Sequence, residues 1–136
     1  MAIELTESFV TKIEFVNQTA PSGMSVTLRH DYTYNVRYTS GNMCRGDLDC
    51  RIAAAGMEDK IHLNFTSSGI FKYDDNTPKD IIHRTTYDLL YPVANAFSRT
   101  LSVNAGMRPI NLIKMDIKTS DIYRFDLSNL KNYIKK

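Results

Sequence analysis

At 136 residues the chain is long enough for one hydrophobic core and too short for two. Its 43% apolar and 24% charged residues are those of an ordinary globular protein, and no apolar run approaches the ~18 residues of a membrane span. A net charge of +2 argues against a dedicated nucleic-acid binder. Acidic Glu4 and Glu7 stand where a signal peptide would carry positive charge, so the expected compartment is the cytosol.

Strands dominate the first half. Phe9, Thr11, Ile13 and Phe15 alternate with Val10, Lys12, Glu14 and Val16, a period of two with a mixed outer face. Asn17 to Gly23, with Pro21, Ser22 and Gly23, reads as a loop. Met24, Val26 and Leu28, then Tyr32, Tyr34, Val36 and Tyr38, keep one parity and predict a long strand with a bulge or bend near His30. A turn begins at Ser40-Gly41-Asn42 and ends by Arg45-Gly46-Asp47. Leu48, Cys50, Ile52 and Ala54 resume the alternation. After Gly56-Met57-Glu58-Asp59, Ile61, Leu63 and Phe65 open a fourth strand that reaches Phe71 and Tyr73. Short connections predict a four-stranded antiparallel meander over residues 8–73.

The period then changes. Thr77-Pro78-Lys79-Asp80 signals a helix start, with Thr as cap and Pro in first position. The predicted helix covers 78–105 and is kinked or restarted at Pro92. Leu90, Ala94, Phe97, Leu101 and Ala105 form one apolar stripe along it, and Gly106 is placed to stop it. Residues 107–118 read as extended. Thr119, Ser120 and Asp121 cap a last predicted helix over 119–135, supported by Ile122, Leu127, Leu130, Tyr133 and Ile134. The fold class is therefore α+β: one domain over 1–136, a four-stranded antiparallel sheet with a long Pro-interrupted helix and a C-terminal helix on one face.

No catalytic motif accompanies these elements. Cys44 and Cys50 match neither a C-x-x-C nor a zinc spacing, and His30, His62 and His83 supply no metal pair. They read as reduced thiols and structural histidines. Asp74-Asp75-Asn76 suits a turn, the glycines form no phosphate loop, and Arg45-Gly46-Asp47 is too short to mean adhesion. No enzyme, cofactor or metal is expected. What stands out is the block Ser68–Ile117, which carries more apolar and aromatic side chains than a small sheet-and-helix unit buries alone, and so points to assembly or to binding something greasy.

In order and spacing, several of these segments resemble the SecB family of protein-export chaperones over residues 9–130. The segments are Val10-Thr11-Lys12-Ile13-Glu14-Phe15 with Ala20-Pro21, Gly69-Ile70-Phe71, Leu89-Leu90-Tyr91-Pro92, Gly106-Met107-Arg108-Pro109-Ile110-Asn111-Leu112 and Met115-Asp116-Ile117. The resemblance implies a cytoplasmic, ATP-independent holdase whose clients are unfolded polypeptides, working as a homo-oligomer, a dimer or dimer of dimers. Client contact falls by this likeness on Phe71, Tyr91, Met107, Ile110, Leu112 and Ile117, and the subunit interface on Leu90, Ala94, Phe97 and Leu101. Export-type members use an acidic outer sheet face to dock the motor SecA. Here the matching positions are Lys12, Val16 and Asn64, and the sequence ends in Lys135-Lys136, which counts against that docking. A member serving another system, with a dedicated client such as an antitoxin, fits better. The alternative is a protein–protein adaptor on the same fold that binds one folded partner.

Overall fold

The computed structural model describes residues 2–18 and 26–117. The predicted final helix over 119–135 lies outside the described residues, as do Met24 and most of the predicted Asn17–Gly23 loop. Four antiparallel strands, β1 (Ile3–Asn17), β2 (Leu28–Thr39), β3 (Met43–Ala54) and β4 (Ile61–Tyr73), precede one long helix, α1 (Lys79–Asn104). The helix packs on one face of the sheet, against side chains of all four strands.

The sheet order is β1-β4-β3-β2, which corrects the predicted meander at one strand. Strands β2, β3 and β4 do follow one another through short connections at residues 40–42 and 55–60. β1 instead lies beside β4, with Phe15 opposite Leu63 and Leu5 opposite Phe71. The reason is connection length: residues 18–27 are too many for a tight hairpin and let the chain pass to the far edge, giving a Greek-key order.

β1 also begins earlier than the alternation from Phe9 shows, because its phase breaks twice. Register shifts fall between Leu5 and Glu7 and between Val10 and Lys12. Each extra residue, Thr6 and then Thr11, flips the side chains to the other face. Ile3 and Leu5 pack on the helix side, then Val10, then Phe15, as their partners Tyr73, Phe71, Ser67 and Leu63 show, while Ile13, opposite Phe65, stays 56% exposed at the sheet edge. Phe9 is turned outward, opposite Ser68 and under the Arg45 guanidinium, 5.2 Å from its ring centre. The predicted bulge near His30 is absent: His30 pairs with Ile52 in an unbroken register, being in phase with Leu28 and Tyr32.

Arg45-Gly46-Asp47 lies inside β3 rather than in a turn. Gly46 is there for space. A Cβ at this position would lie 2.2 Å from Tyr34 Oη and 2.9 Å from its Cζ. The Tyr34 hydroxyl passes over the glycine to donate to Thr86 Oγ1 at 2.6 Å, tying β2 to α1 through the core. Around it Leu48, Cys50, Ile52, Leu63, Phe65 and Phe71 meet Ile82, Tyr87, Leu90 and Ala94 of the helix. Both cysteines are free thiols in this core, and burial pushes their pKa values up, to about 11 for Cys44 and about 12 for Cys50. They stay protonated and inert at neutral pH.

At the helix start, Thr77 is not the cap. Its hydroxyl donates back to the Asp74 carbonyl at 2.5 Å, and Pro78 takes the N-cap position with φ −60°. α1 runs unbroken through Pro92; Pro92 and Asp88 are both exposed, so the carbonyl that loses its donor is open to water. Its end matches the expectation. Gly106 has φ +82°, its N–H donates to Val103 O, and Met107 N–H donates to Ser102 O, a Schellman closure.

The outer sheet face is an ion-paired lattice. Asp47 accepts from Arg37, Arg45 and Ser68, and Asp49 from Arg51 and Thr66. At its edge His62 donates through Nδ1 to Glu58 O and through Nε2 to Glu14, 2.6 and 2.7 Å away. The Glu58 carbonyl and then Glu14 favour the imidazolium and raise the His62 pKa above 6.5. A raised folded-state pKa stabilises the fold below the unfolded value, and this is lost as pH rises through the folded value. We expect the melting temperature to fall slightly between about pH 6 and pH 8, and His62→Ala to flatten that slope. An unchanged slope in the variant would show that the pair is not formed.

Candidate functional site

Beyond Gly106 the chain turns back along α1. The sequence stripe Leu90, Ala94, Phe97 and Leu101 points at the sheet. Leu90 and Ala94 are fully buried there, and Phe97 stacks on Phe65 with ring centres 5.0 Å apart. The expectation that Leu90 and Ala94 form a subunit interface is thereby corrected: the chain's own core consumes them. Phe97 and Leu101 are half-buried against the same core.

One residue further on, a 100° rotation brings a different flank into view: Tyr91, Asn95, Ser98 and Ser102, with Tyr87 one turn before. This flank holds the returning segment, residues 107–117, which pairs with no strand. Ser102 Oγ accepts from Ile110 N–H at 2.9 Å, and Ser98 Oγ donates to Ile110 O at 2.9 Å. Asn95 Oδ1 accepts from Leu112 N–H at 2.8 Å, and Tyr91 Oη donates to Leu112 O at 2.6 Å. Tyr87 Oη accepts from Met115 N–H at 2.7 Å. From β2, Tyr32 Oη accepts from Ile113 N–H at 2.9 Å and donates to His30 Nδ1 at 2.5 Å. Burial lowers the pKa of His30, which keeps the ring neutral and able to accept. Burial also pushes the Tyr32 phenol up to about 12 and raises that of Tyr87, so both stay protonated.

The side chains of this strap divide. Ile110 and Leu112 are buried in the core, and Met107, Met115 and Ile117 are half-buried against it. Ile113 is 59% exposed. At the far end a cleft of about 330 Å³ opens between Arg84, Tyr87 and Asp88 of α1 and Lys114 to Ile117 of the strap. Lys114 Nζ pairs with Asp88 at 2.9 Å and sits 5.9 Å from the Tyr91 ring centre, while Arg84 Nε donates to Ile117 O at 3.2 Å. The cleft therefore has mixed walls, with charged Arg84, Asp88, Lys114 and Asp116 beside Tyr87, Met115 and Ile117, next to main chain that is held extended by Tyr87 and Arg84.

Of the residues expected to contact clients, Tyr91, Met107, Ile110, Leu112 and Ile117 gather along this strap. Phe71 does not. It lies in the sheet core, fully buried opposite Cys44 and Leu5, and offers no surface. Sequence reasoning missed the flank itself, although Tyr91, Asn95, Ser98 and Ser102 repeat at the stripe's own spacing, shifted by one. Among the described residues no cluster of His, Cys, Asp or Glu could hold a metal ion, and no helix is long and apolar enough to cross a membrane.

No known family model matches the chain, and no curated protein matches it. Among solved structures it is similar to the SecB-like chaperone of Mycobacterium tuberculosis in complex with a ChAD peptide from the HigA1 antitoxin. The TM-score is 0.64 at 14% identity, over 84% of this chain and 88% of that one. The chain has the SecB-like fold: an antiparallel four-stranded sheet with a long helix packed on it.

Proposed function

We propose that this chain, on the SecB-like fold, is an ATP-independent holdase that binds unfolded or partly folded polypeptides along the strap and its cleft. The observation that carries the reading is the strap flank itself. Met115 and Ile117 line a 330 Å³ cleft, and half-buried Tyr91 and Met107 lie further along the same strap, next to side chains that already hold extended main chain. Tyr and Met give broad, poorly directional contact that suits many client side chains. Holding needs no nucleotide: a protein that binds the unfolded state and not the native one draws down the folding equilibrium by mass action. The similar mycobacterial structure, with its antitoxin peptide, supports a polypeptide client and makes an antitoxin a candidate.

The same reading places the chain in the cytosol, assigns no residue a catalytic role, and has it work as a homo-oligomer. Exposed Val93 and Val103 on the solvent side of α1 leave apolar surface for a second copy. SecA docking is not part of it, because the outer sheet face mixes Lys12, Glu14, Asp49 and Arg51 where a cationic partner would need a single sign of charge.

The test is aggregation of a reduced or heat-unfolded model client, followed by light scattering. The chain at micromolar concentration is expected to suppress it; no suppression at several-fold excess rejects the holdase reading. Capture of one folded partner at fixed stoichiometry, with no affinity for denatured chains, would favour the adaptor instead.

A further inference from the structure

Residues of an extended chain present their N–H and C=O to one edge at i and i+2. Ile110 and Leu112 do this, and both groups of both residues are met by side chains of α1: Ser102 and Ser98 for the first, Asn95 and Tyr91 for the second. The helix flank thus imitates the edge of a strand, with side-chain oxygens and an amide in place of a neighbour's backbone. Such a reader is indifferent to sequence except for the two places that the Ile110 and Leu112 side chains fill. Every anchor of residues 110–115 is a side chain, none a backbone group fixed in a ladder.

We propose that this flank of α1 is a main-chain-reading groove whose resident ligand is the strap, and that an extended client segment with aliphatic side chains two residues apart takes the groove by displacing residues 110–115. The inference rests on the holdase reading and adds to it the chemistry of recognition and a built-in competitor. Client affinity is then set partly by how firmly the strap is seated, since a site that is mostly self-occupied binds more weakly by the fraction that is open. Loosening the strap while leaving the flank intact strengthens client binding, the opposite of what removing ordinary contact residues does.

The double variant Ile110→Ser/Leu112→Ser empties the two buried places and keeps Tyr91, Asn95, Ser98 and Ser102. It is expected to bind an unfolded client about tenfold more tightly than the native chain. It is also expected to take up a fluorescent peptide of residues 107–117, which the native chain takes up poorly because its own strap is tethered at high effective concentration. Adding Asn95→Leu and Ser98→Ala to the loosened chain should abolish that uptake. Protection of the Cys44 and Cys50 thiols from a thiol reagent shows in each case that the core is intact.

Equal client affinity in the native and loosened chains, with no peptide uptake, overturns the inference and leaves the holdase reading standing. Absence of client binding in every chain, including the native one, overturns the holdase reading and the client half of the inference with it. If the loosened chain exposes its thiols, the native chain decides. Millimolar 107–117 peptide must then lower the amount of bound client, and no lowering overturns the proposal.

Discussion

Gly46→Ala is expected to cost this fold about 3 kcal/mol, the sum of an overpacked core and a disturbed buried hydrogen bond. An added methyl would lie 2.2 Å from Tyr34 Oη, far inside contact distance. The ring cannot step aside freely. It is 7% exposed, stands edge-on to Tyr87 and His83 with ring centres 5.4 and 5.2 Å away, and donates to Thr86. Relief requires either displacing β2 from β3 or breaking the Tyr34–Thr86 bond. The melting temperature should fall by roughly 10 °C. Tyr34→Phe in the same chain should return part of the loss, because the hydroxyl is the nearest atom, but not all, because Cζ remains 2.9 Å away. A fall of less than about 2 °C for Gly46→Ala would mean that the ring does not cross the glycine.

That glycine also shows where local sequence rules lose their hold. Arg45-Gly46-Asp47 reads as a turn because glycine there usually serves the backbone. Its use here is to make room for a ring from the next strand, a demand that comes from a residue twelve positions earlier in the sequence. The alternation of Leu48 to Ala54 and of Ile61 to Phe71, and the 3.6-residue stripe of α1, were legible because each element buries one regular face. β1 was legible only in pieces. Thr6 and Thr11 are ordinary strand residues, and nothing in them announces a bulge that flips Phe9 to the outside. The position of β1 beside β4 is likewise not a local property, since it depends on where a long connection leads.

The candidate site was half legible. The likeness of Gly106 to Leu112 and of Met115 to Ile117 to SecB segments marks the strap, and the strap is where the structure places a cleft. The flank that grips it was hidden in plain periodicity. Serines, an asparagine and tyrosines at helical spacing look like a solvated face until a chain is found lying across them. The stripe beside it shows the converse error. Leu90 and Ala94 form an apolar row of the kind that two subunits share, yet this sheet covers them fully. Periodicity says that a face is covered and not what covers it.

Phe71→Ala and Ile117→Ser separate the two kinds of residue that the sequence grouped together. Phe71 is fully buried, its ring set between the Leu5 and Gly69 neighbours on one side and Cys44 on the other. Removing it leaves a cavity in a tightly packed sheet core at about 3–5 kcal/mol, a large part of the ~5–15 kcal/mol that holds a domain of this size together. The molecules that remain folded should bind client with unchanged affinity, because no part of the ring reaches the surface. Ile117 is half-buried and lines the cleft with Arg84, Tyr87 and Asp88. Ile117→Ser should leave the melting temperature within a few degrees of the native chain, yet weaken client binding about tenfold, or 1.4 kcal/mol. Thermal melts paired with fluorescence titration of a labelled unfolded client read both quantities on each variant. Should Phe71→Ala weaken client binding in the folded fraction as much as Ile117→Ser does, the binding surface must include the sheet core, and the fold must open to receive its client.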